Sequence, residues 1–375
     1  MASLPPARSG GPLCWAVRVG ESLLRRAVRE GAGLCWPIRD RRDQIRLRRP
    51  WDVYSGSAGV GLFLGLLGRA TGERRFQEAG ERALKRSLSR GLKAGEPQGL
   101  AGLSGIGQAL LILGLADQAR AIGDRVAPLR DGEVCDLLYG SAGIGTFLLS
   151  LHRRTGKRRY LRAALLRGDA LLQAGPPWPL NGSHYTGYSH GAAGIGEFFL
   201  RLYAESGDER FLNGARVCLR LVTRHSVRRG ARLDTIYKPD DPRVIRHWCH
   251  GSPGILLFEM AGAEILKSHS WLKRARQRAF ATLDSVRNSR LAPLCYCHGL
   301  AGNLDMLLEF GWRDKALSLA QDKILPRALP DRAGLSFPWQ AGSWPAPGFF
   351  LGDAGIGFFF LRLARPETPL FYRLV

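Results

Sequence analysis

Two kinds of apolar pattern alternate along this 375-residue chain. The first is a stripe: Phe76, Ala79, Ala83, Leu84 and Leu88 recur at helical spacing, with Glu81, Arg82 and Lys85 outside it. Phe211, Ala215, Cys218, Leu219 and Val222 repeat the arrangement. Such segments predict helices with one face on a core and the other in water. The second pattern is apolar on most sides, as at Ile144, Phe147, Leu148 and Leu151, or Ile195, Phe198, Phe199 and Leu202. It predicts helices buried nearly all round. β-Branched alternation is scarce, which argues against a parallel sheet.

A Gly-x-x-Gly step opens each apolar run, at Gly56/Gly59, Gly102/Gly105, Gly140/Gly143, Gly191/Gly194, Gly251/Gly254, Gly299/Gly302 and Gly352/Gly355. Successive first glycines lie 46, 38, 51, 60, 48 and 53 residues apart. That period fits one helical hairpin per repeat. The expected fold is therefore all-α, an α/α toroid of seven hairpins with about fourteen helices in two rings, the apolar helices forming the inner one. A single domain is expected over residues 1–375, with 1–13 as a disordered tail and 14–50 carrying the first outer helix and a basic connection. Small residues at the inner helix starts let neighbouring helix ends approach closely. Each start also offers free N–H groups and positive partial charge, which suits an anion or a developing oxyanion. No phosphate loop and no dinucleotide fingerprint accompanies the glycines.

Hydrophobic residues make up 45% of the chain, ample for a core, and 55 Lys+Arg against 32 Asp+Glu give a net charge of +23. That field favours acidic partners, although arginines such as Arg39, Arg41, Arg42, Arg46, Arg48 and Arg49 also fit a solvated face. No nucleic-acid module is present, so no nucleic-acid partner is expected. The start, Met1-Ala2-Ser3-Leu4-Pro5-Pro6, does not read as a secretory signal, and runs such as Gly61 to Gly68 are too short to span a bilayer. A cytoplasmic protein is expected, with peripheral membrane association as an added option. Seven cysteines, an odd number in a long chain, point to free thiols and metal ligands in a reducing compartment.

The fifth and sixth repeats carry the chemistry: Trp248-Cys249-His250-Gly251 and Tyr296-Cys297-His298-Gly299. Cys249, Cys297 and His298 supply two thiolates and an imidazole, a set that suits one Zn2+ and leaves a tetrahedral position open, as a catalytic site requires. His250 or Cys295 as a fourth ligand would instead close the site into a structural one.

These residues, with Ser189-His190-Gly191-x-x-Gly194-Ile195 and Gly299-x-Ala301-Gly302-Asn303, resemble the lanthionine synthetase C-like family of lantibiotic cyclases and their eukaryotic relatives. The likeness runs from the segment at Ala16 to Glu30 through Gly352-x-Ala354-Gly355-Ile356-Gly357. It implies a zinc-dependent addition of a precursor-peptide cysteine thiol to dehydroalanine or dehydrobutyrine, closing a thioether ring. Zinc in such a site converts the thiol to the reactive thiolate. The resemblance also implies His190 as the general acid that protonates the resulting enolate, with Asp136 as a further acidic position able to orient it. The family arginine expected four residues before the first cysteine is Ile245 here; Arg243 and Arg246 flank it, and Arg246 is taken as the candidate. Only 54 residues separate Asp136 from His190, too few for the insertion domain of some relatives.

The expected partner is thus a dehydrated precursor peptide, in company with a dehydratase and a transporter at the membrane surface. About 50 residues precede the first repeat, which suggests a free-standing bacterial cyclase. Two alternatives use the same framework: a protein that adds or binds glutathione, and a non-catalytic scaffold for acidic partners. Other toroid enzymes fit less well, because no acidic pair recurs at the inner helix starts.

Overall fold

The computed structural model describes residues 10–39, 47–48, 50–94, 98–128, 134–331, 334–338 and 345–373. The expected tail up to residue 9, and Arg41, Arg42, Arg46 and Arg49 of the basic connection, lie outside the described residues.

Fourteen α-helices alternate in character among the described residues. Seven are apolar nearly all round: α2 (Ser57–Thr71), α4 (Leu103–Ile112), α6 (Ser141–Thr155), α8 (Ala192–Ser206), α10 (Ser252–Ile265), α12 (Leu300–Glu309) and α14 (Asp353–Ala364). Each begins one residue after the first glycine of a pair, which is its N-cap. The other seven are α1 (Pro12–Arg25), α3 (Arg74–Ala94), α5 (Ala116–Val126), α7 (Arg158–Ala174), α9 (Glu209–Arg224), α11 (His269–Asn288) and α13 (Arg313–Lys323). The stripe on α3 buries Phe76, Ala79, Ala83 and Leu84, and that on α9 buries Phe211, Ala215, Cys218 and Val222. Burying side chains of this size is worth roughly 1.5–3 kcal/mol each for the larger ones, and accounts for the pairing of each striped helix with an apolar one.

The described chain clusters into two compact units. One comprises Met1–Glu96 and Ser289–Pro369; in it α12, α14 and α2 pack side by side, α3 lies on α2, α13 on α12, and α1 on α14. A helix from near the beginning of the chain thus completes the hairpin of the last glycine pair. The other comprises Pro97–Asn288 and Leu370–Val375, where α4, α6, α8 and α10 pack in order and α5, α7, α9 and α11 cover them in turn.

Three of the apolar helices, α2, α6 and α8, stop at Gly72, Gly156 and Gly207, each with φ near +70°. Each glycine's own N–H closes the last turn on the carbonyl four residues back, and glycine adopts the left-handed conformation there without a Cβ penalty.

Short antiparallel strands occupy several connections. These are β1 (Val28–Glu30) with β2 (Gly33–Cys35), β3 (Ile38–Arg39) with β4 (Leu47–Arg48), the three-stranded β5 (Ser226–Arg229), β6 (Arg232–Lys238) and β7 (Asp241–Val244), and β8 (Leu329–Asp331) with β9 (Gly334–Ser336). The β5–β7 sheet packs on α11 and leads directly into the first cysteine motif.

Candidate functional site

The glycine steps fold the chain just ahead of each apolar helix into the same tight bend. A Cβ on the second glycine would lie 1.9 Å from the Leu137 carbonyl oxygen at Gly143, 2.1 Å from that of Tyr188 at Gly194 and 1.9 Å from that of Trp248 at Gly254. At Gly302 and Gly355 the Tyr296 and Phe349 oxygens stand at the same 1.9 Å. The carbonyl six residues upstream therefore presses on the helix start, and only a residue without a side chain leaves room for it. Neighbouring repeats close in as well, since the Gly254 position also meets the Tyr188 Cβ at 2.7 Å and the Gly355 position the Tyr296 Cβ at 2.9 Å.

This bend places equivalent residues in register. In the second unit the Leu138 N–H donates to the Ser189 oxygen at 3.3 Å, and the Ser189 N–H to the Cys249 oxygen at 3.1 Å. In the first unit the Cys297 N–H donates to Phe350 at 2.8 Å, and the Phe350 N–H to Tyr54 at 3.0 Å. In these four links the residue two before the first glycine is held to its counterpart in the neighbouring repeat by main-chain bonds, which the Ser189 hydroxyl reinforces by donating to the Cys249 oxygen at 3.1 Å, and Cys249 and Cys297 both occupy that position. The residue immediately before the glycine is His190, His250 or His298 in three repeats and Tyr139 in another.

Cys249 stands just before α10 in the second unit, and Cys297 and His298 just before α12 in the first. Both thiols are buried and the imidazole is half-buried. The Tyr54 hydroxyl donates to Cys297 Sγ at 3.3 Å. The alternative fourth ligands, His250 and Cys295, have surroundings of their own. His250 is packed instead among aromatic rings, with Tyr185 and Tyr237 each at 4.9 Å and His190 at 5.5 Å. Cys295 is fully buried, and burial pushes its thiol up to about 12.

Asp136 and His190 stand together in the second unit. Asp136 Oδ1 accepts the N–H groups of Tyr139 at 2.6 Å and Gly140 at 3.1 Å, while Oδ2 meets His190 Nδ1 at 2.7 Å. One carboxylate therefore ties the entry to α6 and orients an imidazole 54 residues away. With Oδ2 as acceptor, Nδ1 carries the hydrogen and Nε2 is the nitrogen left for exchange. The Tyr139 ring stacks on His190 at 5.2 Å and remains partly exposed at 39%. Burial, then the hydrogen bond its hydroxyl shares with Tyr185, pushes the Tyr237 phenol up to about 12, so it stays protonated beside this cluster.

Arg246 forks onto buried Asp234 of β6, with Nε and Nη2 both at 2.7 Å from carboxylate oxygens. Its backbone bridges Gly251, so the pair anchors the turn that carries Cys249. Gly251 itself adopts φ +118°, in the region that favours glycine, with the Ile245 oxygen 1.9 Å from where a Cβ would stand. Arg243 is exposed and paired with Asp241.

Tyr54, Tyr139 and the Tyr185–Tyr237 pair have no counterpart among the residues singled out by sequence. Aligning all seven glycine steps would have exposed two of them: Tyr54 holds the cysteine position of the first repeat and Tyr139 the histidine position of the third. Tyr185 and Tyr237 sit in connections without periodicity and carry no such signal.

The family model described as lanthionine synthetase C-like protein matches residues 48–374. The chain belongs to that family. Among curated proteins it is similar to the lacticin 481/lactococcin biosynthesis protein LcnDR2 of Lactococcus lactis subsp. lactis, with 23% identity over 245 residues, 62% of this chain and 26% of the relative. The chain thus spans about a quarter of the length of that relative. Among solved structures it resembles nisin cyclase, with a TM-score of 0.66 and 16% identity over 86% of this chain and 90% of the other. The Lin0763 protein from Listeria innocua follows, with a TM-score of 0.59 and 14% identity over 96% and 98%. Likeness at these identities shows the fold, the α/α toroid that the glycine repeat predicts for this lanthionine synthetase C-like chain. A family 76 glycoside hydrolase from a bovine Bacteroides thetaiotaomicron strain shares it too, at a TM-score of 0.52 and 17% identity over 96% and 79%. A shared fold does not fix the chemistry, which depends on the residues of the site. Among the described residues no helix is long and apolar enough to cross a membrane.

Proposed function

We propose that this protein is a zinc-dependent lanthionine-forming cyclase, adding a peptide cysteine thiol across the double bond of a dehydroalanine or dehydrobutyrine. The observation that carries this reading is that two Cys-His-Gly motifs, Cys249-His250-Gly251 and Cys297-His298-Gly299, open equivalent helices of a chain in the lanthionine synthetase C-like family, with both thiols buried. Two soft thiolates and one imidazole fit zinc and leave room for an outside ligand. Zinc bound there supplies the positive charge that favours a substrate thiol in its thiolate form.

The remaining roles fall to the chain's own groups. Addition forms a carbon–sulfur bond at the β carbon and leaves negative charge on the enolate, which takes a proton at the α carbon. His190 donates that proton from Nε2, while Asp136 holds Nδ1 at 2.7 Å and stabilises the imidazolium from which it leaves. The thiol's own proton restores the balance through solvent. Tyr139 fixes the plane of the imidazole by stacking. Arg246, committed to Asp234, is a positioning residue that sets the turn carrying Cys249. The dehydrated peptide is the proposed substrate; a dehydratase, a transporter, glutathione and peripheral attachment to a membrane have no support in the site's geometry.

The test is incubation of the purified, zinc-analysed protein with a dehydrated peptide that contains cysteine, counting free thiols with time. Loss of thiol in the wild type that disappears in Cys297→Ala, along with most of the zinc, is the expected result. Zinc far below one equivalent in the wild type, with no thiol consumed from the peptide, overturns the reading. Consumption of glutathione in place of the peptide thiol reassigns the nucleophile.

A further inference from the structure

The second unit carries a groove that the proposed chemistry does not use. It follows α9 from end to end: Arg210, Asn213, Gly214, Val217, Leu221 and Arg224 recur at three- and four-residue steps along one side of that helix. At the N-terminal end a cavity of about 610 Å³ opens between α7 and α9 over Leu172, Trp178 and Val217. At the C-terminal end a second, of about 400 Å³, lies over Leu221 and reaches Tyr185 and Ala192 at the start of α8. The two meet at Pro176, which lines both. Sixteen helical residues make the path about 24 Å long, the length of a short peptide segment and far more than a small molecule needs.

The charge along this path is one-sided. Its acidic lining residue, Asp169, is already paired with Arg210 at 3.1 Å, and Arg210 is also held by Asp208 at 2.7 Å. Arg220 and Arg224 line the groove, are exposed, and make no ion pair among the described residues. An apolar floor with unneutralised cations on its rim is complementary to a chain bearing apolar and acidic side chains. The far end of the path ties it to the site, because the Tyr185 ring lies 4.9 Å from that of His250, the residue after Cys249.

We infer that the α9 groove binds an acidic, apolar-striped segment of the substrate peptide, outside the residues that react, and feeds the remainder toward Cys249 and His190. This rests on the peptide-substrate reading above. It assigns recognition to the outer face of the hairpins in a chain that has only 54 residues between Asp136 and His190.

The probe is a fluorescent synthetic peptide of about 16 residues, with leucines at helical spacing and glutamates between them, alongside a counterpart with lysine for every glutamate. Fluorescence anisotropy should show the wild type binding the acidic probe at least about tenfold more tightly than the lysine counterpart. The double variant Arg220→Glu/Arg224→Glu should reverse that preference while keeping its zinc content and melting temperature. Equal affinity of wild type and variant for the acidic probe overturns the inference. So does loss, in the same variant, of binding to phosphatidylglycerol vesicles with peptide binding unchanged, which gives the groove to lipid. Thiol consumption from a short dehydrated peptide without the acidic segment should be equal in both proteins. If the wild type shows none, the cyclase reading fails, and probe binding still decides the groove.

Discussion

Asp136 does two jobs with one carboxylate, and a single substitution separates them. Asparagine keeps Oδ1 for the N–H groups of Tyr139 and Gly140, so the entry to α6 survives, but puts an NH2 group where Oδ2 meets His190. A donor facing Nδ1 forces the imidazole into its other tautomer and withdraws support from the protonated ring. Asp136→Asn should therefore lower the rate of thiol addition by about 100-fold or more, with a melting temperature close to wild type. Asp136→Ala should lose the rate and also about 1 kcal/mol of stability, because the two N–H groups lose their acceptor. Initial rates and thermal melts of both variants check this, and an Asn variant with full activity rejects His190 as the proton donor. The His190 and Asp136 pairing was legible as an expectation only through the family resemblance, which implied an acidic residue able to orient the imidazole. Tyr139 was not, since a tyrosine before a glycine announces stacking only once the fold has brought His190 against it.

The apolar helices explain why a glycine is needed at each start, and the explanation differs in part from the sequence expectation. Small residues were expected to let neighbouring helix ends approach; the larger constraint is the chain's own carbonyl six residues upstream, with the neighbouring repeat pressing second. That carbonyl belongs to Trp248 at Gly254, so a methyl group there pushes directly on the residue before Cys249. Gly254→Ala should cost about 1–3 kcal/mol by overpacking, and leave the protein with much less than its normal zinc. Gly143→Ala meets the Leu137 oxygen at the same 1.9 Å and should destabilise to a similar degree while retaining zinc. Metal analysis beside thermal unfolding distinguishes the two, and equal zinc in both variants shows that the bend does not position Cys249. At this scale the sequence was most readable. All seven glycine pairs mark helix starts, and the α3 and α9 stripes are buried apart from Leu88 and Leu219, which sit half-exposed at their edges. The β5–β7 sheet went unseen because it is built from polar connections, where pairing depends on α11 and not on a local period.

Across the whole molecule the carboxyl groups pull stability in opposite directions with pH. Asp353, fully buried at the start of α14, is paired with Arg26 and accepts the Phe337 N–H at 2.7 Å, yet burial outweighs both and raises it to about 6. Its folded value lies above its unfolded one, so the folded state holds the proton more tightly, and its contribution is present at low pH and lost as pH rises through about 6. Glu30 behaves in the reverse sense: hydrogen bonds from Arg86 and Arg90 hold it at about 2, so its contribution is present at neutral pH and lost below the usual carboxylate range. Asp241, half-buried and held at about 2 by exposed Arg243, has the same sign as Glu30 and less weight, because solvent screens the pair. The wild type should accordingly gain on Asp353→Asn as the pH is lowered from about 7.5 to about 5, and both proteins should lose stability together further down. The melts belong in a chelator, since metal binding to the thiols and imidazole carries its own pH dependence over this range. A difference between the two melting temperatures that stays constant from about pH 5 to about pH 7.5 shows that Asp353 keeps its charge throughout, with the Arg26 pair outweighing its burial.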